Sequence, residues 1–196
     1  SLSGAALTNS GELSGASLLV DYDALNNAAG GLLLAQGTNR ITARSVSSAG
    51  SIVGSTLALY AGRLESAGLL QGDTGLSLTA EEMDLLAGSR TLAAGDLSLS
   101  GTTLTTAGQL QGENVSLRGR DWNNSGSTLA TGSLDVSASG TLSNTGDLMS
   151  QGATTLNAVN TVNNGSLLSA GDLSLAGNTL RNSGTVQGNR VSAHQD

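Results

Sequence analysis

Clustered carboxylates are the residues of this chain whose types and spacing could do chemistry. Glu81, Glu82 and Asp84 form the densest group, and Asp21 and Asp23 form a second one. Carboxylates that converge on one surface cleave glycosidic bonds in carbohydrate-active enzymes, and they coordinate cations in calcium sites. Neither group has the regular oxygen-ligand spacing of a calcium loop. A solvated, irregular bulge therefore explains both groups better than a metal site or a catalytic site does.

Other residues that could do chemistry are scarce. Six further carboxylates directly follow a glycine, where acidic residues are favoured in solvated turns: Glu12, Asp73, Asp96, Glu113, Asp147 and Asp172. The sole histidine, His194, lies at the C-terminal end and gives no Ser–His–Asp triad. The chain has no cysteine, which excludes thiol chemistry and cysteine-based metal sites. We predict a protein that is not an enzyme, with no catalytic, cofactor-binding or metal-binding residue.

The composition excludes further classes of function. The formal net charge is -7 and all eight basic residues are Arg, which argues against nucleic acid as the main partner. No apolar run approaches the roughly 18 residues of a transmembrane helix, and the first residues lack the features of a signal peptide. Pro, Phe and Cys are absent, so aliphatic side chains must fill a narrow core. Because the chain does not begin with Met, we interpret residues 1–196 as one segment of a longer protein.

One short sequence motif recurs along the whole chain. Its marker is a glycine that follows an aliphatic residue, a spacer and an Asn, Ser or Thr, and this glycine returns about every 19 residues. Ten such units cover nearly the whole chain, at Gly11, Gly31, Gly50, Gly68, Gly88, Gly108, Gly126, Gly146, Gly165 and Gly184. Units two and five are longer, and we expect their connections, 30–41 and 88–97, to widen the coil or to protrude.

Each unit contains three apolar stations separated by turn residues. The first is an anchor, as in Leu142 or Trp122, and in unit nine we assign it to Val162. The second follows the glycine, as in Leu148, and in unit seven we assign it to Leu129. The third is an alternating pair with the period of a β-strand. Three short strands and three turns describe one coil of a parallel β-helix, since stacked coils satisfy each other's backbone groups and bury their apolar sides. The period does not fit tetratricopeptide helices, and the leucine-rich repeat signature is missing.

Polar residues return two positions after the anchor in nine of ten units. Asn side chains at matching corners of stacked coils can hydrogen-bond up the stack. We therefore predict a structural ladder rather than a ligand site. Its asparagines are Asn9, Asn27, Asn124, Asn144, Asn164 and Asn182; Ser48, Ser66 and Thr106 stand at the same station, and only Leu85 departs from it.

Three units carry a resemblance to a known family: LSNTGDLMSQGATTLNA (142–158), WNNSGSTLATGSLDVSA (122–138) and VNNGSLLSAGDLSLAG (162–177). They resemble the filamentous haemagglutinin repeats of two-partner secretion exoproteins. This resemblance implies an all-β, right-handed parallel β-helix and a secreted protein at the outer cell surface of a Gram-negative bacterium. It also implies export through an outer-membrane transporter that recognises an N-terminal secretion domain, whose motifs do not occur in this chain. Members of the family include adhesins, haemolysins and effectors of contact-dependent growth inhibition.

Our leading hypothesis is a structural shaft that extends and presents adhesive or toxin domains. Two alternatives stay open. One face of the segment could bind a cell-surface receptor or glycan directly, through its rows of exposed Ser, Thr and Asn. A carbohydrate-active β-helix enzyme would instead need the carboxylates Glu81, Glu82 and Asp84 to converge with others on one face.

Overall fold

The computed structural model describes residues 1–195, and these residues form strands without any helix. Every strand pairs in parallel with the equivalent strand of a neighbouring coil. The strands are β1 (Leu2–Asn9), β2 (Glu12–Gly15), β3 (Leu18–Asn27), β4 (Leu32–Ala35), β5 (Thr38–Ser48), β6 (Ser51–Ser66), β7 (Leu69–Leu85), β8 (Arg90–Ala93), β9 (Asp96–Thr106), β10 (Gln109–Gly112), β11 (Val115–Asn124), β12 (Ser127–Ala130), β13 (Leu134–Asn144), β14 (Asp147–Ser150), β15 (Thr154–Asn163), β16 (Ser166–Ser169), β17 (Leu173–Gly177), β18 (Thr179–Asn182), β19 (Thr185–Gln187) and β20 (Val191–Gln195).

Each coil has three faces, which one central coil illustrates. Residues 134–138 of β13 lie on face 1, and residues 141–144 of the same strand lie on face 2. The pairing register shifts between these two stretches, where the chain bends. Strand β14 (147–150) lies on face 3. Strands β6 and β7 continue around their corners and contribute to all three faces. The prediction of an all-β parallel β-helix with about ten coils, about 19 residues apart, is confirmed.

The core is a column of aliphatic side chains that runs along the inside of the three faces. On face 1, alternating residues such as Leu134 and Val136 point inward and stack on their equivalents in the next coil. Leu142 is the inward aliphatic residue of face 2 and Leu148 that of face 3. Each fully buried aliphatic side chain contributes about 1.5–3 kcal/mol. Trp122, at the anchor position, is the largest fully buried side chain, as its station in the repeat predicts.

Two station assignments made from the sequence are wrong by one residue. In unit seven the inward residue of face 3 is Thr128, and Leu129 points outward. In unit nine the inward anchor is Thr161, and Val162 points outward. In both units a threonine occupies an inward position beside an outward aliphatic residue, so hydrophobicity alone selects the wrong neighbour. The pairing register identifies the inward anchor of unit nine, because Thr161 stacks directly on Leu142.

The extra residues of units two and five form tight corners at residues 28–31 and 86–89, so only the first two residues of each expected connection, 30–41 and 88–97, belong to them. Gly31 donates its backbone N–H to the carbonyl of Ala28 at 2.8 Å, and Ser89 donates to Leu86 at 3.0 Å. Gly30 and Gly88, with φ of 82° and 86°, adopt the left-handed conformation that these turns need. In unit five Ser89, and not Gly88, therefore occupies the stacked position of the marker glycine, because the backbone N–H of Gln109 in the next coil donates to the carbonyl of Ser89.

Candidate functional site

A continuous row of inward positions runs along the end of face 2, where the polar ladder is predicted. The pairing register stacks each member directly on the next. In chain order the row contains Asn9, Asn27, Ser48, Ser66, Leu85, Thr106, Asn124, Asn144, Asn163 and Asn182. All of these side chains except that of Asn182 are buried. The structure therefore brings together Asn9, Asn27, Asn124, Asn144 and Asn182 of the predicted set.

The upper half of the row is a hydrogen-bonded chain of amides. Asn124 Nδ2 donates to Asn144 Oδ1 at 2.8 Å, and Asn144 Nδ2 donates to Asn163 Oδ1 at 2.8 Å. Asn163 Nδ2 continues the chain to Asn182 Oδ1 at 2.7 Å. The same amide nitrogens also donate to backbone carbonyls at the corner, such as that of Gly165 at 3.2 Å from Asn163. Each amide thus joins two coils and holds the corner between faces 2 and 3.

The lower half is shorter and ends at a break. Asn9 Nδ2 donates to Asn27 Oδ1 at 2.9 Å, and Asn27 Nδ2 donates to Ser48 Oγ at 3.3 Å. The next hydroxyl, Ser66 Oγ, is buried without a hydrogen-bond partner among the described residues. It stacks on Leu85, whose apolar side chain is 1% exposed and offers no polar atom. Leu85 therefore separates two hydrogen-bonded segments, at the position where the sequence shows its single departure.

Asn164 lies outside the row, which corrects its predicted place in the ladder. Its side chain is exposed, and its Oδ1 accepts a hydrogen bond from Ser183 Oγ at 2.6 Å at the corner. Asn163 fills the ladder position instead. The distance to the corner glycine explains the difference: Asn144 stands two residues before Gly146, and Asn163 stands two residues before Gly165. The prediction took the outward Val162 as the anchor, and the ladder position two residues later was therefore assigned to Asn164 instead of Asn163.

The adjacent pair Asn163 and Asn164 provides a test of this ladder. We expect Asn163→Ala to destabilise the chain by about 2 kcal/mol, because it removes two amide–amide hydrogen bonds in a buried row. Asn164→Ala removes one exposed hydrogen bond and should change the unfolding free energy by less than about 0.5 kcal/mol. Urea denaturation followed by circular dichroism measures both values. Equal losses in the two variants would contradict the register described above.

Trp122 joins the ladder from the anchor row, a contact that sequence reasoning missed. Its indole Nε1 donates to Thr106 Oγ1 at 2.9 Å, and this hydroxyl donates in turn to Asn124 Oδ1 at 2.8 Å. The indole N–H is thereby satisfied in the core, as buried tryptophan requires. The sequence does contain a signal for this contact. Trp122 pairs with Leu104 of the preceding coil, and Leu104 stands two residues before Thr106.

The acidic group of unit five meets an arginine of the preceding coil. Arg63 lies on the outer side of face 2, with Glu82 at 2.7 Å and Asp84 at 2.9 Å. Glu65 lies 3.8 Å from the same guanidinium. All four side chains are at least partly exposed, so the pairs contribute little stability. Two of the three carboxylates proposed for catalysis are thus held by one guanidinium on a flat, solvated face.

The remaining carboxylates occupy several different positions. Glu12 and Asp147 both begin a face 3 strand. Asp96 begins β9 near the corner between faces 3 and 1 and accepts a hydrogen bond from Asn114 at 3.0 Å. The carboxylates that follow a glycine are therefore divided between two corners of the coil, and the shared glycine neighbour does not give them one equivalent turn position. In the second acidic group, Asp23 lies 3.5 Å from the guanidinium of Arg44.

A shallow groove with a mixed polar and apolar lining runs beside the bend between faces 1 and 2 in the later coils. Arg118, Ser137, Asn157, Asn178 and His194 line it, and its volume is about 520 Å³. Arg118 also lies 3.7 Å from Asp135. Within residues 1–195 no three His, Cys, Asp or Glu side chains form a group that could hold a metal ion. The same residues contain no helix long and apolar enough to cross a membrane.

Comparison with known proteins identifies the class to which this solenoid belongs. The haemagglutinin repeat family matches residues 2–70, 56–146 and 129–196, so that overlapping matches cover nearly the whole chain. The chain belongs to this haemagglutinin repeat family. The family consists of secreted, surface-exposed exoproteins of Gram-negative bacteria, as the resemblance of the sequence predicts. No solved structure matches the chain significantly.

The most similar relatives include several proteins named CdiA. A 16S rRNA endonuclease CdiA of Enterobacter cloacae is 74% identical over 185 residues, which cover 94% of this chain and 6% of that protein. A Toxin CdiA of Escherichia coli is 49% identical, with 93% of this chain and 6% of the relative covered. A Deoxyribonuclease CdiA of Dickeya dadantii is 35% identical over 76% of this chain and 5% of the relative. The chain therefore spans about one twentieth of the length of these relatives.

Proposed function

We propose that residues 1–195 form one uninterrupted shaft segment of a contact-dependent inhibition exoprotein. The observation that carries the proposal is the continuous parallel stacking from β1 to β20. Each coil is held to its neighbours by backbone pairing on three faces and by a common aliphatic column, and hydrogen bonds between inward Asn side chains add to this on both sides of Leu85. Such nearest-neighbour stacking makes a stiff rod of about 4.8 Å per coil. The segment sets distance and direction for the domains that it carries.

The partners and activities of the whole protein belong to other parts of it. In this proposal an outer-membrane transporter of the two-partner secretion pathway exports the chain by recognising an N-terminal secretion domain. The relatives are named as nucleases and toxins of different targets, while their shared segment keeps the same repeat. We infer that this segment has no catalytic role, because one repeat sequence accompanies several different named activities.

An in-phase deletion in a full-length exoprotein that carries this segment tests the shaft role. Removal of residues 11–183 joins Ser10 to Gly184, which stand at equivalent corners about nine coils apart. We expect a filament about 43 Å shorter that is still secreted and still inhibits target cells. Cryo-electron tomography measures the length, and competition assays measure inhibition. Loss of target-cell binding with normal secretion would show that the segment contributes recognition and is more than a spacer.

A deletion of similar size that breaks the phase is the control. Removal of residues 11–178 joins the corner that precedes face 3 to Thr179, at the beginning of face 2. The two ends then cannot continue one coil, so inward and outward side chains exchange places beyond the junction. We expect this variant to fail in folding or secretion. The comparison separates the effect of phase from the effect of chain length.

The shallow groove beside the bend between faces 1 and 2 favours a second candidate function, direct binding of a receptor or glycan. Arg118, Asn157 and Asn178 offer hydrogen-bond donors along an open concave surface. Binding of the labelled 196-residue chain to intact bacterial and mammalian cells tests this candidate. Saturable binding that Arg118→Ala weakens would support a recognition site in the groove. Absence of binding by the folded chain would leave the shaft role alone.

A further inference from the structure

Face 3 carries an outward row of apolar side chains that the stacking of coils does not require. This row, called here the face 3 row, holds the third residue of each face 3 stretch. Its members in chain order are Ser14, Leu34, Val53, Gln71, Leu92, Gln111, Leu129, Met149, Leu168 and Gln187. Six of these ten residues are apolar and none is charged. The corresponding outward row of face 2 includes Glu65, Asp84 and Arg181, and Val162 is its only aliphatic residue.

The apolar members of the face 3 row are partly exposed to solvent. Leu129, Met149 and Leu168 stand on three successive coils and line a shallow groove of about 330 Å³. Because these side chains point away from the core, they do not fill the interior of the solenoid. A linear apolar stripe on an otherwise polar surface indicates an interaction site.

We propose that the face 3 row joins two copies of this chain side by side, in parallel and in register. The size of the face fits this occupant. Ten coils at about 4.8 Å and a width of four residues give a flat surface of about 600 Å² on each copy. The two copies together then bury about 1,200 Å², which is the lower limit for a specific interface. The expected complex is a dimer with a dissociation constant in about the micromolar range.

Charge complementarity selects the parallel arrangement. Two-fold symmetry about an axis along the rod places residues on one side of the row opposite the partner's residues on the other side. Arg90 stands two positions before Leu92, the row residue of its own coil. Asp73 stands two positions after Gln71 in the preceding coil, and Glu113 stands two positions after Gln111 in the next coil. Arg90 of one copy therefore lies between an Asp73 and a Glu113 of the second copy. Among the described residues none of these three side chains forms an ion pair within its own chain.

The same symmetry matches the row itself. Each apolar residue meets its own equivalent, and glutamine meets glutamine at the levels of Gln71, Gln111 and Gln187. An antiparallel pair with full overlap would place Gln71 opposite Leu129 and Arg90 opposite Gln109. It would thus leave a glutamine against an aliphatic residue and remove the acidic partners of Arg90. The parallel pair satisfies both the polar and the apolar members of the row.

Sedimentation velocity of the 196-residue chain, from about 1 to about 300 µM, measures the association. We expect a concentration-dependent dimer. The double variant Met149→Glu, Leu168→Glu places charges in the row on two successive coils and should raise the dissociation constant at least about tenfold. The matched control is Ser143→Glu, Val162→Glu, which adds the same charges to the outer side of face 2 in the same coils. This control should keep nearly the dissociation constant of the unmodified chain.

Two results would overturn the association through face 3. One is a monomer at every concentration. The other is a dimer that both double variants weaken equally or leave unchanged, as end-to-end stacking of open coils would give. Thermal unfolding of both variants checks that they remain folded, which is expected because all four positions point outward.

A single introduced cysteine reports the orientation, since the chain has none of its own. In the parallel dimer Gln187→Cys lies next to its equivalent, within reach of a bismaleimide that spans about 10 Å between facing sheets. In an antiparallel dimer the two thiols are separated by most of the rod. Arg181→Cys, on face 2 of the same coil, is the control that should not cross-link. A dimer that sediments normally but does not cross-link through Gln187→Cys would refute the parallel arrangement.

Discussion

Leu142→Asp should destabilise the solenoid by at least about 4 kcal/mol. Leu142 is fully buried in the aliphatic column of face 2, between Trp122 and Thr161 of the neighbouring coils. No basic side chain faces this position from either stacked neighbour, so the carboxylate would be buried without a charged partner. The variant must therefore keep a proton on the carboxyl group or open the coil. Chemical denaturation followed by circular dichroism gives the free energy of unfolding.

Ser143→Asp is the matched control, one residue away in the same strand. Ser143 points outward from face 2, where Asn123 and Val162 are its stacked neighbours. A carboxylate there stays hydrated, so a change of less than about 1 kcal/mol is expected. Similar losses in the two variants would mean that the inward and outward sides of this strand are assigned wrongly.

The second large loss of stability is expected from substitution of the marker glycines that stack on one another at the corner between faces 2 and 3. A methyl group on Gly146 would overlap the carbonyl oxygen of Gly126, the equivalent glycine of the preceding coil. The same carbonyl accepts a hydrogen bond from the backbone of Asp147 at 2.9 Å, so it cannot move away without loss of pairing. Gly146→Ala should therefore cost about 3 kcal/mol, as overpacking against backbone does. Thermal or urea denaturation checks this value.

Gly11→Ala separates stacking from the intrinsic conformational effect of glycine. Gly11 stands at the equivalent corner of the first coil, and a methyl group there meets no atom within 4 Å. Its substitution should change stability by less than about 0.5 kcal/mol. If Gly146→Ala were equally harmless, the close approach of the glycine row would not be a constraint on the fold.

The architecture was predictable because the same spacing of glycines and aliphatic residues recurs in every unit and therefore applies to all coils. The glycine spacing sets the length of a coil, and alternating aliphatic residues set which side of each strand points inward. The ladder in units one, two, seven, eight and ten followed from the same phase. The ladder prediction for unit nine was wrong because Val162, the more hydrophobic residue of a Thr–Val pair, was assigned as the anchor. The stacking register is instead fixed by the distance to Gly165.

The candidate sites were less predictable because they depend on which outward positions face each other across coils. Arg63 and Glu82 are far apart in the sequence but occupy the same position, directly before the inward anchors Leu64 and Met83. Aligning the units on their anchors would reveal this pair. The turns at Gly30 and Gly88 could not be located this way, since the inserted residues have no equivalent in the other units.

The hydrogen bonds of the amide row give the rod an electrical direction. The Nδ2 atoms of Asn124, Asn144 and Asn163 each donate to the Asn of the higher-numbered coil, so the amide dipoles align head to tail along the axis. Hydrogen bonds in such a chain polarise one another, and each bond is strengthened by the next. Leu85 interrupts this mutual polarisation and confines it to separate segments. A substitution in one segment should therefore leave the amides of the other electrically undisturbed, although both share one backbone stack.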